Sequence, residues 1–319
     1  MNVAFLFPGQ GAQSVGMGRV LAEQFPAARE VFEAADRVLG FPLSRICWDG
    51  PAEELRKTVH TQPALLTHSV AALRLVQAAG IQPTWTAGHS LGEYSACVAA
   101  GVLEFEDAVR LVHRRGELMH QAGLERPGTM AAILGMSPEA VEAVCEEASV
   151  VGVVRPANMN APGQVAISGE VPAVERACEL ARAKGAKRAV RLDVGGAFHS
   201  PLMASAAAGL AEWIDRSPFR DARCPIVLNV SAEPATLAAD IRAALKAQLL
   251  AAVRWEDSMR LLVARGAEGF VEIGSGKVLR GLLRTTAPEV PVWNVEDPES
   301  LHRTLTTMGA GRMPAAGRI

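Results

Sequence analysis

Short apolar, β-branched runs alternate with helical patterns from one end of the chain to the other, and this alternation is what most limits its possible folds. Strands separated by helices cannot close as tight hairpins, so they are expected to run parallel in a sheet covered by helices on both faces. Val3–Phe7 reads as the first strand, and a helical pattern covers 20–38. The stretch 62–80 reads as a long buried helix stopped by Gly80, 84–88 as a strand, and 91–101 as a helix with its own terminal glycine. Further strands are expected at 225–230, 269–273 and 290–295. With 319 residues, the chain can form one large domain carrying a smaller one.

The stretch 129–193 has an order of its own. TMAAILG reads as a strand, and SPEAVEAVCEEA as a helix with Ser137 as N-cap and Pro138 in its first turn. VVGVV and QVAIS read as two strands separated by the loop NMNAPG. A second helix runs to Gly185, and RAVRLD forms a last strand. The order β-α-β-β-α-β is that of a ferredoxin-like unit. The expected organisation is therefore α/β: a large subdomain with a parallel sheet, made of 1–126 and 196–308, into which 127–195 is inserted. The small, glycine-rich tail 309–319 is expected to be disordered.

Several function classes lack their signatures. A net charge of −2 gives no whole-surface footprint for nucleic acid or membrane. The N-terminus has no basic n-region, and no apolar run approaches the length of a membrane span. The five cysteines are far apart, odd in number and without a CxxC pair, which reads as reduced thiols in a cytoplasmic protein. The seven histidines show neither HxxxH nor HExxH spacing, so no metal site is expected.

Two glycine-rich turns carry the chemistry. FPGQGAQ (7–13) follows the first strand, where backbone N–H groups can be turned towards an anion, either a nucleotide phosphate or the oxyanion of an acyl transfer. The phosphate motifs fail. Ser14 stands where GxGxxG needs its third glycine, and Met17-Gly18 stand where a P-loop needs Lys-Ser/Thr. Gly88-His89-Ser90-Leu91-Gly92 matches G-x-S-x-G between a strand and a helix, the setting of an exposed serine nucleophile; a plain structural turn is the bland alternative.

Such a serine needs a base. His89 is adjacent, but neighbouring side chains on a tight turn diverge. His199 precedes Ser200-Pro201, which open a helix, and a helix N-terminus disfavours imidazolium. Neither Asp107 nor Asp193 is convincing as a third, acidic member. In EDAVRLVHRRGELMH, Arg115 shares an apolar stripe with Ala108, Val112 and Met119, whereas Arg110 and Arg114 read as solvated pairs with Asp107 and Glu117. A buried arginine needs a carboxylate, from the protein or from a ligand, and Gly116 would let either approach.

FPGQGAQ, TQPALLT, GHSLGEYSA, RRG, NAPGQV, GAFHSPLM and EIGSGKVL occur in this order over nearly the whole chain. In these motifs the chain resembles the malonyl-CoA:acyl carrier protein transacylases and the related acyltransferase domains of polyketide synthases. The resemblance implies a Ser90–His199 dyad, with the imidazole oriented by main-chain carbonyl near Gln248 rather than by an acid. It implies an oxyanion hole from the N–H groups of Gln10 and Leu91, and Arg115 as the holder of the malonyl carboxylate. It also places Gln62, Asn160 and Phe198 at the substrate, Phe198 going with malonyl over branched units. No cofactor is implied, the CoA thioester being a substrate, and the partners are malonyl-CoA and an acyl carrier protein. A local positive patch, Lys184, Lys187, Arg188 and Arg191, is the candidate docking surface for that acidic carrier, with a solvated surface run as the bland reading. The alternatives are a serine hydrolase or thioesterase, and a nucleotide-binding regulatory module.

Overall fold

The computed structural model describes residues 1–309 and Pro314, and the tail expected to be disordered falls, but for Gly309 and Pro314, outside the described residues. The first half comprises β1 (Val3–Phe7), α1 (Arg19–Gln24), α2 (Pro26–Leu39), α3 (Leu43–Asp49), α4 (Ala52–Arg56), α5 (Thr58–Ala78), β2 (Trp85–Gly88), α6 (Gly92–Ala99) and α7 (Phe105–Glu125). The middle comprises β3 (Thr129–Leu134), α8 (Pro138–Ala148), β4 (Val154–Ala161), β5 (Gln164–Gly169), α9 (Val171–Ala183) and β6 (Arg188–Arg191). The last part comprises α10 (Ala204–Arg216), β7 (Ile226–Val227), β8 (Pro234–Ala235), α11 (Ala238–Gln248), β9 (Val253–Arg254) and α12 (Trp255–Ala264). It ends with β10 (Gly269–Ile273), α13 (Val278–Thr286), β11 (Val292–Val295) and α14 (Pro298–Thr307).

The larger sheet has the order β11-β10-β1-β2-β7-β8 and is parallel except for the β7–β8 hairpin at one edge. Every residue of β1 is buried, as a central parallel strand with both faces covered requires. α5 is buried almost all round and packs against α7. The register pairs Phe7 with Gly88, so β1 and β2 end side by side. The loop after β1 and the turn after β2 therefore meet in the crevice at the carboxyl ends of the strands, where open α/β sheets bind ligands.

The second sheet has the order β6-β3-β5-β4-β9; its first four strands are antiparallel, and β9, from much later in the chain, adds in parallel to β4. α8 and α9 pack on it over a separate apolar core that includes Ile133, Val141, Val165 and Ile167.

Three local expectations are corrected. The helix expected over 20–38 is two helices, because Pro26 opens α2 and leaves Phe25 extended at φ −123°. VVGVV is not a strand: Ser149–Val151 form a 3-10 turn with Val150 and Val151 exposed. β4 starts at Val154 and includes most of the segment expected as a loop, leaving Pro162-Gly163 as the turn. NMNA reads as loop because its asparagines are polar, yet Asn158 and Asn160 line a cavity, and register shifts at Ala157 and Asn160 bend the strand there.

Candidate active site

The turn after β2 is strained in the way a serine nucleophile needs. Ser90 has φ 51°, and among the described residues only Ser90, His199 and Ala232 are non-glycine residues with positive φ. A Cβ on Gly88 would lie 1.9 Å from the Gly92 backbone, and one on Gly92 would lie 2.1 Å from the Phe7 carbonyl oxygen. Only glycine fits either position. The Ser90 N–H is held by Asn229 Oδ1 at 2.7 Å, and Asn229 Nδ2 donates to the Gly88 carbonyl, also at 2.7 Å.

Ser90 Oγ lies 2.8 Å from His199 Nε2, and His199 Nδ1 lies 2.9 Å from the Gln248 carbonyl oxygen. A carbonyl can only accept, so Nδ1 carries the proton and Nε2 turns its lone pair to the serine. The side chain is buried, and its pKa is pushed from 6.5 down to about 3, first by burial and then by the Arg115 charge. As expected, His199 stands at a helix entry, since the 3-10 turn that Ser200 caps runs on into α10; burial and the nearby cation are the larger causes that keep the imidazole uncharged.

Arg115 is buried on the stripe with Ala108, Val112 and Met119. Its Nη1 donates to Gln62 Oε1 at 2.8 Å, and its Nη2 donates to Gln248 Oε1 at 2.9 Å and to Ser90 Oγ at 3.2 Å. The Tyr94 ring lies 5.5 Å from the guanidinium carbon. Among the described residues Arg115 forms no ion pair, and its Nε has no partner. The fork is fixed by neutral groups and its charge remains uncompensated by direct contact. Arg110 and Arg114 do pair with Asp107 and Glu117, at 3.1 and 2.9 Å.

Gly116 has another use than the one expected. A Cβ there would lie 2.7 Å from the Thr58 carbonyl oxygen, so it sets the close approach of α7 to α5, not that of a ligand. That approach brings Gln62 to Arg115. Gln62 is fully buried, donates to Met119 Sδ at 3.1 Å and lies outside the cavity wall, so it positions the arginine rather than lining the site.

A cavity of about 230 Å3 opens over Ser90 between the two sheets. Gln10, Leu91, Arg115, Asn160, Phe198 and His199 line it together with residues of β4 and β5. Among the described residues, neither the Gln10 N–H nor the Leu91 N–H has an acceptor, while the neighbouring N–H groups of His89, Ser90, Gly11 and Gly92 are all engaged. Asn160 Oδ1 lies 2.8 Å from Nε2 of His89, which is thereby tied to β4 and turned from the base role. The candidate docking residues stand apart, Lys184 and Lys187 between α9 and β6 and Arg188 and Arg191 on β6. Lys184 pairs with Glu147 and Arg191 with Glu175, and among the described residues Lys187 and Arg188 form no ion pair. Leu192 and Val194, just after β6, reach the cavity wall.

Sequence reasoning missed Asn229, Glu93 and the side chain of Gln248. Asn229 has no spacing signal. Glu93 has one: it is the lone charge in the otherwise uncharged helix α6, the same signal that singles out Arg115.

The acyl transferase domain model matches residues 4–301. The chain is 49% identical over 308 residues to the malonyl CoA-acyl carrier protein transacylase of Bacillus subtilis, covering 96% of this chain and 97% of that one. It is 45% identical to the Escherichia coli K12 protein of the same name, covering 95% and 98%. Among solved structures, a malonyl-transacylase in complex with its holo type II polyketide synthase acyl carrier protein superposes with TM-score 0.94 at 42% identity, covering 96% of this chain and all of that one.

Proposed function

The chain belongs to the acyl transferase domain family, and on that premise we propose that it moves a malonyl group from malonyl-CoA to the phosphopantetheine thiol of an acyl carrier protein, through a malonyl ester on Ser90. One observation carries the substrate choice: Arg115 lines the cavity beside the Ser90–His199 pair and has no protein carboxylate on it. A malonyl carboxylate supplies the missing partner; an acetyl group cannot.

His199 Nε2 takes the proton of Ser90 Oγ as the oxygen bonds to the thioester carbon. The oxyanion is received by the two free N–H groups of Gln10 and Leu91. The C–S bond then breaks, and His199 returns the proton to the CoA sulfur. The carrier thiol repeats the steps in reverse, giving ping-pong kinetics. The substrate carboxylate also cancels the Arg115 charge that depresses His199, so the contact that selects malonyl makes the base stronger. Asn160 and Phe198 shape the acyl pocket, Gln62 and Gln248 hold Arg115, and Gln248 orients His199. A hydrolase triad would need an acid where His199 meets the Gln248 carbonyl.

We read β3–β6 with α8 and α9 as a ferredoxin-like subdomain, 127–195, its four-strand order being that of the fold, and 1–126 with 196–308 as a hydrolase-like subdomain. Lys187 and Arg188 are assigned to the carrier. The enzyme needs no cofactor in this scheme. Among the described residues no helix is long and apolar enough to cross a membrane, and the reduced cysteines favour the cytoplasm.

The direct test is mass analysis after incubation with malonyl-CoA. A malonyl adduct is expected on the Ser90 peptide and none in Ser90→Ala; an adduct retained by that variant refutes the nucleophile.

A further inference from the structure

Glu93 lies in the first turn of α6, three residues after the nucleophile, and is completely buried. Its carboxylate touches no cation directly. Oε1 accepts from the Asn229 N–H at 3.0 Å, and Oε2 accepts from Gln248 Nε2. A buried carboxylate is costly, and two polar contacts could be made by a neutral side chain. The distinguishing property of a carboxylate is that it only accepts.

The amide of Gln248 can be placed in two ways, and its neighbours decide between them. Nε2 faces Glu93 and donates its second hydrogen to the Ser90 carbonyl oxygen at 2.9 Å. This leaves Oε1 on the other side, 2.9 Å from Arg115 Nη2. We propose that Glu93 is a positioning residue for acyl selectivity: by presenting only acceptors, it locks the Gln248 amide with its oxygen towards Arg115 and so fixes the guanidinium fork that receives the substrate carboxylate. This inference rests on the reading of Arg115 as the malonyl holder.

The geometry separates selectivity from base chemistry. A glutamine at position 93 keeps the shape and can still accept from Asn229, but it sets NH2 against the NH2 of Gln248. Turning the Gln248 amide relieves that clash, yet then points a donor at Arg115 and leaves the Ser90 carbonyl without its partner. Arg115 loses one of its three anchors. The His199 contact survives, because His199 uses the main-chain carbonyl of Gln248 and not its amide.

Protonating Glu93 should release the lock in the same way, since both its oxygens face donors. Burial, offset in part by its two hydrogen bonds and by Arg115, pushes its pKa from 4.5 up to about 7. The other groups around it do not titrate near there. His199 stays neutral down to about 3, burial pushes Tyr94 and Cys97 of its own helix upwards, and Arg115 stays charged.

The test compares malonyl and acetyl transfer from their CoA thioesters in the wild type, Glu93→Gln, Gln248→Ala and the double variant. Glu93→Gln is expected to lower the malonyl-to-acetyl ratio by about tenfold, within the coupling range of side chains that share a network. Acetyl transfer should hold, and Glu93→Gln should add nothing in the Gln248→Ala background. An unchanged ratio, or effects of the two substitutions that simply multiply, overturns the proposal. Should Glu93→Gln fail to fold, the wild type decides: its ratio should fall as pH drops from 8 to 6, and a flat ratio overturns the lock. A wild type indifferent to the carboxylate defeats the reading of Arg115 instead. The lock is then judged by urea denaturation of the four proteins, where additive stabilities overturn it.

Discussion

The carboxyl ends of β1 and β2 and the unit built on β3–β6 follow opposite rules. In the helices and core of the small unit, local preference and structure agree. Ser137 caps α8 by accepting from the Ala140 N–H with Pro138 in the first turn, Gly185 follows α9 at φ 97°, and the core is aliphatic. Around Ser90 nearly every rule is broken. Two side-chain-bearing residues take left-handed backbone, and an arginine, a glutamate, a histidine and two glutamines are buried within one network. Each departure costs stability, and each either lines the cavity or holds in place a group that does. The small unit is built to be a wall, and the nucleophile region is held in place by its surroundings.

Removing the base should show the largest difference between the two regions. His199→Ala should slow acylation and deacylation together by about 10²–10⁴, the usual contribution of a positioned base. Stopped-flow acylation and thiol-dependent release read the two halves separately, and loss of only one contradicts a shared role. Protonation gives a second handle. The folded His199 value of about 3 lies below its ordinary 6.5, so the unfolded chain binds a proton first. The stability this group contributes is complete above 6.5 and is lost as pH falls towards 3. Glu93 has the opposite sign: its contribution is complete below 4.5 and is lost as pH rises to about 7. Acetyl acylation, which leaves Arg115 uncompensated, should therefore show no inflection near pH 6.5; one there would mean an ordinary, hydrated imidazole.

Arg115→Ala sharpens the comparison, because it removes a buried charge without touching the small unit. Charge-assisted hydrogen bonds contribute about 1.5–3 kcal/mol each, so a two-bond carboxylate contact implies a malonyl preference of about 10²–10⁴. The variant should lose malonyl transfer by that factor, while acetyl transfer holds or rises as His199 is relieved of the nearby cation. Arg115→Lys should recover little, since an ammonium cannot reproduce the fork. An unchanged malonyl-to-acetyl ratio in a folded Arg115→Ala protein refutes the carboxylate contact.

The same contrast explains what the sequence makes legible. Ser90, His199 and Arg115 stand out because each breaks a local pattern: a serine between glycines, a histidine at a helix entry, a charge on an apolar stripe. The order of elements in the small unit is legible because capping and periodicity agree there. β4 is misread where it serves the cavity, since Asn158 and Asn160 give a strand the composition of a loop. Gln62, Asn229 and the Gln248 side chain act through long-range hydrogen bonds, which leave no periodicity. Gly116 shows the limit of neighbourhood reasoning: it lies beside Arg115 in sequence but faces α5 in space.

The smallest expected effect tests whether the wall is only a wall. Lys184 and Arg191 already have carboxylate partners, so a free acidic carrier would find the charge of Lys187 and Arg188, exposed around the start of β6. The chain then runs through Leu192 and Val194 to the cavity, so a carrier held there is placed beside its route inwards. Reversing both charges, Lys187→Glu with Arg188→Glu, should lower kcat/KM for the carrier protein several-fold, about 1 kcal/mol of docking energy or somewhat more, mostly through slower association. The loss should shrink as salt is raised, because exposed charges are screened over about 10 Å at 0.1 M. Melting temperature and turnover with pantetheine should not change, since neither side chain belongs to the small core or touches the cavity. If the two acceptors are affected equally, the patch has no docking role. If only the carrier suffers, the region whose helices and core follow local rules also selects the acceptor, while the strained region selects the acyl group.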